Sequence, residues 1–118
     1  GGSSDDSLRG NTLGNVLDGG GGNDVLDGGA GSDTLIGGNG ADSLFGNAGD
    51  DLLSGGDGDD SLSAGDGVNT LVGGNGDDFL ASLTGVDDID GGVGLDTISL
   101  DRSSSVENFT INFDGVSP

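Results

Sequence analysis

The sequence is built on a nine-residue pattern, Gly-Gly-x-Gly-x-Asp-x-Leu-x, which recurs eleven times in phase and without an insertion over residues 1–99. Position eight is Leu or Ile in every repeat, and position six is Asp in all repeats except two, which carry Asn15 and Asn69. An internal period this strict determines the fold of a chain more strongly than its composition does. The repeats start at Gly1, Gly10, Gly19, Gly28, Gly37, Gly46, Gly55, Ala64, Gly73, Ser82 and Gly91.

Each repeat divides into a glycine-rich turn of six residues and an extended piece of three residues centred on the aliphatic side chain. Glycine suits the turn because it adopts positive φ angles and permits close backbone approach. A single repeat buries almost nothing, but two successive repeats form one coil of 18 residues. Stacked coils then give two parallel sheets with the position-eight side chains inside. The sequence therefore predicts an all-β fold, a parallel β-solenoid with two nonapeptides per coil.

The composition does not favour an ordinary hydrophobic core. Only 30% of the residues are hydrophobic, 29 are glycine, and the formal net charge is -20. These values are typical of disordered chains, so an acidic, calcium-binding polymer without β structure is one alternative, although such a polymer has no reason to keep the repeats in phase. The charge predicts a cationic partner and no nucleic acid partner. No apolar run reaches membrane-spanning length, so no membrane insertion by this segment is expected.

The aspartates at position six predict a metal site made of oxygen ligands. The chain has no Cys and no His, which excludes thiolate and imidazole ligands. Stacking places these carboxylates above one another at roughly the 4.8 Å spacing of paired strands, where like charges cost about 1 kcal/mol per pair even in bulk water. A divalent cation that takes six or more oxygens relieves this repulsion. Ca²⁺ suits the pattern better than Mg²⁺, which retains its waters.

With this motif the chain resembles the RTX (repeats-in-toxin) family of hemolysin-type calcium-binding nonapeptide repeats, whose pattern is GGxGxDxUx with U an aliphatic residue. The resemblance covers residues 1–99. It implies a calcium-bound parallel β-roll in which each ion lies between two turns that are one coil apart. In such a site the lower turn gives the carbonyls of positions two and four, the upper turn gives those of positions one and three, and both give the carboxylate of position six.

The turns of the repeats that start at residues 1, 19, 37, 55, 73 and 91 form what we call the first edge, for which the resemblance implies five ions. Each ion would lie between successive members of one carboxylate series, so every interior aspartate serves two sites. The series is Asp6, Asp24, Asp42, Asp60, Asp78 and Asp96. The implied carbonyl ligands are those of Gly2, Ser4, Gly19, Gly20, Gly21, Gly22, Gly37, Gly38, Asn39, Gly40, Gly55, Gly56, Asp57, Gly58, Gly73, Gly74, Asn75, Gly76, Gly91 and Val93.

The turns that start at residues 10, 28, 46, 64 and 82 form the second edge, which departs from the motif. Leu13 replaces a glycine, and Asn15 and Asn69 replace carboxylates. The resemblance implies an ion between Asp33 and Asp51, leaves the Asp51 and Asn69 pair open, and disfavours the Asn15 with Asp33 and Asn69 with Asp87 pairs. The expected total is five to seven Ca²⁺. The implied ligands are Gly29, Gly31, Asp33, Gly46, Asn47, Ala48, Gly49, Asp51, Ala64, Asp66 and Asn69.

Residues 100–118 depart from the repeat, since Glu107 stands where the next position-eight aliphatic residue would fall. Phe109, Ile111 and Phe113 alternate with polar residues, which predicts one amphipathic strand. A solenoid needs a cap over its last coil, so we expect this segment to be a C-terminal capping strand. The alternative is that the strand begins a following module.

The resemblance implies a calcium-binding, calcium-induced folding module of a larger secreted bacterial protein. It further implies export by type I secretion machinery, an extracellular location, and a passenger domain in the same chain such as a protease, lipase, toxin or epimerase. The alternative is a structural or adhesive spacer rod of a large surface adhesin. No enzymatic activity is expected of this segment, because every pair of aspartates belongs to the repeat rather than to a unique cleft.

Overall fold

The computed structural model of the protein describes residues 1–100 and the backbone of residues 110–112. One short strand follows another along the repeats, and each strand contains a position-eight residue of the motif. The strands are β1 (Ser7–Arg9), β2 (Val16–Gly21), β3 (Val25–Ala30), β4 (Thr34–Asn39), β5 (Ser43–Ala48), β6 (Leu52–Asp57), β7 (Ser61–Asp66), β8 (Thr70–Asn75), β9 (Phe79–Ser82), β10 (Asp88–Val93), β11 (Thr97–Leu100) and β12 (Thr110–Asn112).

Successive strands alternate between two parallel sheets. One sheet has the order β1-β3-β5-β7-β9-β11, and the other has the order β12-β10-β8-β6-β4-β2. Paired residues are 18 positions apart, as in the pairs Leu8 with Leu26 and Leu35 with Leu53. The predicted coil of two nonapeptides is therefore confirmed, and turns of the same edge lie directly above one another.

The strands are longer than predicted. From β2 onward most of them span six residues, namely positions seven to nine of one repeat and positions one to three of the next. The prediction of a three-residue extended piece was wrong because the first half of each turn also pairs with the neighbouring coil. The Gly21 amide, for example, donates to the Gly2 carbonyl at 2.9 Å, and the Ala30 amide donates to the Asn11 carbonyl at 3.0 Å. Only positions four to six make the bend.

The core is a single column of position-eight side chains between the two sheets. Seven leucines and Ile89 in this column are completely buried, and Ala64 adds a methyl group. Leu8, Leu17 and Ile98 are only partly buried against the column, because each belongs to one of the outermost repeats. The core therefore consists of little more than these side chains from the two sheets, and much of the remaining interior is the backbone of the glycine-rich turns.

The last described strand leaves the 18-residue register. β12 pairs with β10 so that Ile111 lies beside Ile89, an offset of 22 residues. The next position-eight residue is thus Ile111 rather than Glu107, and a strand in this segment is confirmed for Thr110–Asn112. Phe109 and Phe113 lie outside the described residues, so the capping role of residues 100–118 stays a prediction.

The described part of the chain contains no helix long and apolar enough to cross a membrane.

Candidate metal centre

The position-six side chains form a continuous hydrogen-bonded ladder along each edge. The backbone amide of each position-six residue donates to the Oδ1 atom of the position-six residue in the following coil. On the first edge the Asp24 amide donates to Asp42 at 2.7 Å and the Asp42 amide donates to Asp60 at 2.8 Å. On the second edge the Asp33 amide donates to Asp51 at 2.8 Å. The pairs predicted from the repeat are therefore neighbours in space, and we call the space between the two members of a pair a gap.

The second carboxylate oxygen of these aspartates is buried without a hydrogen-bond donor. Among the described residues, the unpaired Oδ2 atoms belong to Asp24, Asp33, Asp42, Asp51, Asp60 and Asp78. Each of these side chains is at most 3% exposed. A buried anionic oxygen without a partner is costly, and a cation between the coils would remove that cost. The donor set therefore fits a hard divalent ion.

Each unpaired oxygen faces the glycine at position one of its own repeat. A Cβ atom built on Gly19 would lie 2.4 Å from Asp24 Oδ2 and 2.7 Å from the Gly37 carbonyl oxygen of the following coil. On Gly55 it would lie 2.3 Å from Asp60 Oδ2 and 2.6 Å from the Gly73 carbonyl oxygen. Position one must lack a side chain because a carboxylate oxygen and a carbonyl oxygen converge beside it. This pair of oxygens includes the position-six and position-one ligands that the resemblance implies.

The other implied carbonyls lie in the same turns, and those of position three already accept hydrogen bonds between coils. Position-three carbonyls accept from the position-four amide of the preceding coil, as Asn39 does from Gly22 at 3.0 Å and Asp57 does from Gly40 at 2.8 Å. A carbonyl oxygen has two lone pairs, so this bond leaves one for a metal. No group of three or more acidic side chains converges within the described part of the chain. An ion in a gap would therefore take its remaining oxygens from the backbone or from water.

Positions two and four hold the turn in the left-handed region. Gly38 has φ of 111°, and a Cβ atom there would lie 2.0 Å from the Gly20 carbonyl oxygen of the preceding coil. Asn47 occupies the same position on the second edge with φ of 75°, which asparagine tolerates better than most residues. Its side-chain amide donates to Asp27 at 2.7 Å. The departure from glycine at residue 47 therefore leaves the turn intact.

Burial raises the pKa of several position-six carboxyls. For Asp60 burial is the largest cause, the neighbouring carboxylates Asp42 and Asp78 add to it, the backbone hydrogen bond with Asp42 opposes it, and the pKa rises to about 6. Burial also raises the pKa of Asp42, Asp51 and Asp78. The shift shows that the metal-free fold holds these groups in an environment that disfavours their charge. A cation between them would reverse that effect.

In one gap of the second edge, a hydrogen-bond donor of the position-six side chain takes the place of the carboxylate oxygen. Asn69 Oδ1 accepts the Asp51 amide at 2.8 Å, so its Nδ2 atom takes the place that Oδ2 has in the aspartates. This nitrogen is buried without an acceptor. The opposite side-chain orientation would set an NH₂ group against the Asp51 N–H, so the hydrogen bond fixes the orientation. The Asn69/Asp87 gap thus presents an amide NH₂ group where other gaps present a carboxylate oxygen.

Asn15, at the other end of the second edge, has the opposite orientation. Its Oδ1 atom accepts the Asn11 amide at 2.8 Å, and a Cβ atom built on Gly10 would lie 2.3 Å from it. The Asn15/Asp33 gap therefore presents a neutral oxygen, which offers a cation less than a carboxylate does.

A second ladder at position five was not predicted. The side chains of Asp5, Asn23, Asp59 and Asp77 each accept the position-five amide of the following coil, at 2.8 to 2.9 Å. Asp50 does the same for Val68 on the second edge. The signal was present in the sequence, since Asp or Asn fills position five in these repeats. These side chains satisfy exposed turn amides and leave the gaps to position six.

The fold and the stacked, unpaired carboxylates define a calcium-binding β-roll. The family model of the RTX calcium-binding nonapeptide repeat matches the chain in four copies, over residues 1–35, 27–62, 36–71 and 63–98. These matches span most of the sequence, so the chain belongs to this family and is a calcium-binding module of the RTX type. No curated protein matches the chain.

Proposed function

We propose that this chain is a calcium-induced folding module of a larger secreted protein, in which binding and folding are one process. The observation that carries the proposal is the row of buried Oδ2 atoms without donors. The narrow core offers little burial to offset the repulsion between these carboxylates. Because the two halves of each gap belong to different coils, a gap exists only once the coils have stacked. Calcium therefore binds the folded state and stabilises it by mass action.

We further propose seven ions, five on the first edge and two on the second. In seven gaps an aspartate Oδ2 atom faces the space for the ion. These aspartates are Asp6, Asp24, Asp42, Asp60 and Asp78 on the first edge, and Asp33 and Asp51 on the second edge. On the second edge the Asp33/Asp51 and Asp51/Asn69 gaps qualify, because Asp33 and Asp51 each turn an unpaired Oδ2 atom towards the following coil. Seven Ca²⁺ would reduce the formal charge from -20 to about -6.

The same chemistry supports export through a type I secretion system. A chain that repels itself without calcium stays unfolded in a calcium-poor cytosol and can thread a channel. It then folds in millimolar external calcium. The absence of cysteine from the sequence means that no disulfide competes with this route. In the proposed whole protein the rod stabilises or spaces a passenger domain, which carries any catalytic activity.

The proposal is tested by far-ultraviolet circular dichroism during addition of CaCl₂ to chelator-treated protein, with MgCl₂ as the control. We expect a coil spectrum without calcium and a steep, cooperative gain of β signal with it, because each interior aspartate serves two gaps. Mg²⁺ should give little of this gain at equal concentration. A β spectrum in metal-free protein would contradict the proposal, and calcium binding without a gain of β structure would favour the acidic polymer.

A spacer or adhesive rod is the second candidate. The observation that favours this function is the presence of large apolar side chains on the outer faces of the sheets. Val25, Phe45 and Phe79 on one sheet are each more than 40% exposed. Removal of these side chains by substitution with Ser should leave calcium-induced folding unchanged. It should weaken adhesion to apolar or protein-coated surfaces only if the rod has that role.

A further inference from the structure

The gap between the repeats 64–72 and 82–90 differs from the other gaps in three residues at once. Position one of the lower repeat is Ala64, position six of that repeat is Asn69, and position one of the upper repeat is Ser82. All three side chains are buried. We propose that this gap takes no cation, and that the Asn69 amide and the Ala64 methyl group occupy the place of calcium. The inference deepens the proposed function and rests on it.

The amide of Asn69 removes one of the two negative charges that border an equivalent first-edge gap, and Asp87 keeps the other. Its Nδ2 atom lies where the equivalent aspartates place an unpaired Oδ2 atom, and it is held there by the hydrogen bond between the Asp51 amide and Asn69 Oδ1. A cation in this gap would face two N–H donors rather than an anionic oxygen. This arrangement repels a cation.

Ala64 occupies the space beside the missing ligand. At the equivalent glycines a Cβ atom would lie 2.3 to 2.6 Å from the position-six Oδ2 atom, as at Gly55 and Gly46. Ala64 has a methyl group at this position and is completely buried. Where the repeats with an unpaired carboxylate oxygen have glycine, this one accepts a methyl group, because an uncharged amide has replaced the carboxylate and its ion.

The hydroxyl of Ser82 satisfies the second oxygen of Asp87, which points away from this gap towards the following coil. Asp87 accepts the Asn69 amide with Oδ1 at 2.7 Å and the Ser82 hydroxyl with Oδ2. Asp87 is 2% exposed, yet both of its oxygens have donors, unlike those of the six aspartates with an unpaired Oδ2. Across the same gap, Thr84 Oγ1 donates to Asp66 Oδ1 at 2.9 Å. Every acidic oxygen that these bonds engage has a hydrogen-bond donor from the chain itself.

The test compares two conservative substitutions of aspartates on opposite edges, Asp87→Asn and Asp78→Asn. In Asp87→Asn the new amide keeps both partners, since its Oδ1 still accepts the Asn69 amide and its Nδ2 can donate to Ser82 Oγ. In Asp78→Asn the new Nδ2 would replace an unpaired Oδ2 atom in the Asp78/Asp96 gap. The measurement is calcium stoichiometry by equilibrium dialysis, together with the calcium midpoint of folding by circular dichroism.

We expect Asp87→Asn to leave the calcium count unchanged and to shift the folding midpoint by less than twofold. Asp78→Asn should lose at least one ion and raise the midpoint several-fold. Loss of an ion in Asp87→Asn, with the same loss in Asp78→Asn, would overturn the inference and leave the proposed function standing. If neither substitution changed calcium binding, and the wild-type protein folded without calcium, the proposed function itself would fail.

A gain-of-site variant provides the converse test. The combined substitutions Ala64→Gly, Asn69→Asp and Ser82→Gly give this gap the residues of a first-edge gap. We expect one additional bound Ca²⁺ and a folding transition that shifts to higher calcium, because a new pair of buried carboxylates now needs an ion. An unchanged ion count in a variant that folds with calcium would overturn the inference.

Discussion

The two edges of the rod share one backbone geometry and differ in the charge that they carry. On the first edge six aspartates follow one another without interruption. On the second edge Asn15 and Asn69 divide the series, so only Asp33 and Asp51 are charged neighbours. The amide ladder at position six is the same on both edges. The comparison shows that Asn69 replaces aspartate as the acceptor that stacks the coils, but turns a nitrogen rather than an oxygen towards its gap.

Calcium removal should produce the largest effect and should separate the edges. Chelation should abolish most of the β signal, because the first edge then holds five neighbouring pairs of like charges, and in three of these pairs both carboxylates are buried. During a stepwise chelator titration followed by amide hydrogen exchange, we expect the amides of Asp24 and Asp42 to lose protection before the amide of Asn69. Simultaneous loss would show that the edges are one cooperative unit in calcium binding.

The substitution Asp60→Ala should have the next largest effect. Asp60 accepts the Asp42 amide with one oxygen and faces the Asp60/Asp78 gap with the other, so its removal weakens two neighbouring gaps. We expect the calcium midpoint to rise about tenfold or more, which corresponds to about 1.4 kcal/mol. Asp88→Ala is the matched control, because Asp88 is an exposed strand residue outside the turn. Equal shifts in the two variants would mean that the assigned register of the sites is wrong.

The substitution Gly55→Ala tests whether position one of the first edge requires glycine while the second edge accepts Ala64. The new Cβ atom would meet Asp60 Oδ2 at 2.3 Å and the Gly73 carbonyl oxygen at 2.6 Å. We expect a loss of about 1–3 kcal/mol in calcium-bound stability, the usual cost of overpacking. Gly2→Ala is the control, since no atom lies within 4 Å of its Cβ position, and it should change stability by less than about 0.5 kcal/mol. Thermal unfolding in saturating calcium measures both, and a well-tolerated Gly55→Ala would contradict the crowded geometry.

Acidification should stabilise the metal-free fold through Asp60, but it should weaken calcium binding at the same residue. The pKa of Asp60 is about 6 in the metal-free fold, against about 3.9 in an unfolded chain. Between these pH values the metal-free fold binds more protons than the unfolded chain. The contribution of Asp60 to the stability of the metal-free fold therefore grows as pH falls from about 6 towards 3.9, and it is lost as pH rises through 6. Protons compete with calcium for the same oxygens, so the calcium midpoint should rise below about pH 6.

Calcium titrations at several pH values, with Asp60→Asn as the control, measure this effect. The pH dependence should be smaller in the variant, because the amide does not titrate. A calcium midpoint independent of pH between 5 and 7 in the wild-type protein would contradict the assignment of Asp60 to a gap.

The substitution Arg9→Ala should have the smallest effect. Arg9 Nε lies 3.5 Å from Asp27 Oδ2, and the arginine side chain is 82% exposed. Exposed ion pairs contribute at most about 1 kcal/mol and often nothing measurable. We expect no change in calcium stoichiometry and a change in stability within about 0.5 kcal/mol by thermal unfolding. A larger loss would mean that charge outside the two edges also decides whether the rod folds.

The sequence by itself determined the coil, the register and the unequal edges. The period of nine, with Leu or Ile at position eight, places these residues in one core if two successive repeats form a coil, and the 18-residue pairing confirms that coil. The positions of Asn15, Asn69 and Ser82 showed that the second edge departs from the motif. The metal ligands named from the resemblance stay a prediction, although the structure brings the position-six and position-one oxygens together.

Only the tertiary structure decided how the oxygens are used. It showed that Oδ1 of each position-six residue belongs to the amide ladder while Oδ2 faces the gap, that Ser82 donates to Asp87, and that Ile111 rather than Glu107 continues the sheet. The sequence could not reveal these features, because they depend on hydrogen bonds between residues in different turns or coils. A repeat pattern specifies which residues meet when coils stack, but the backbone hydrogen bonds of the stack determine which lone pair remains for a metal ion.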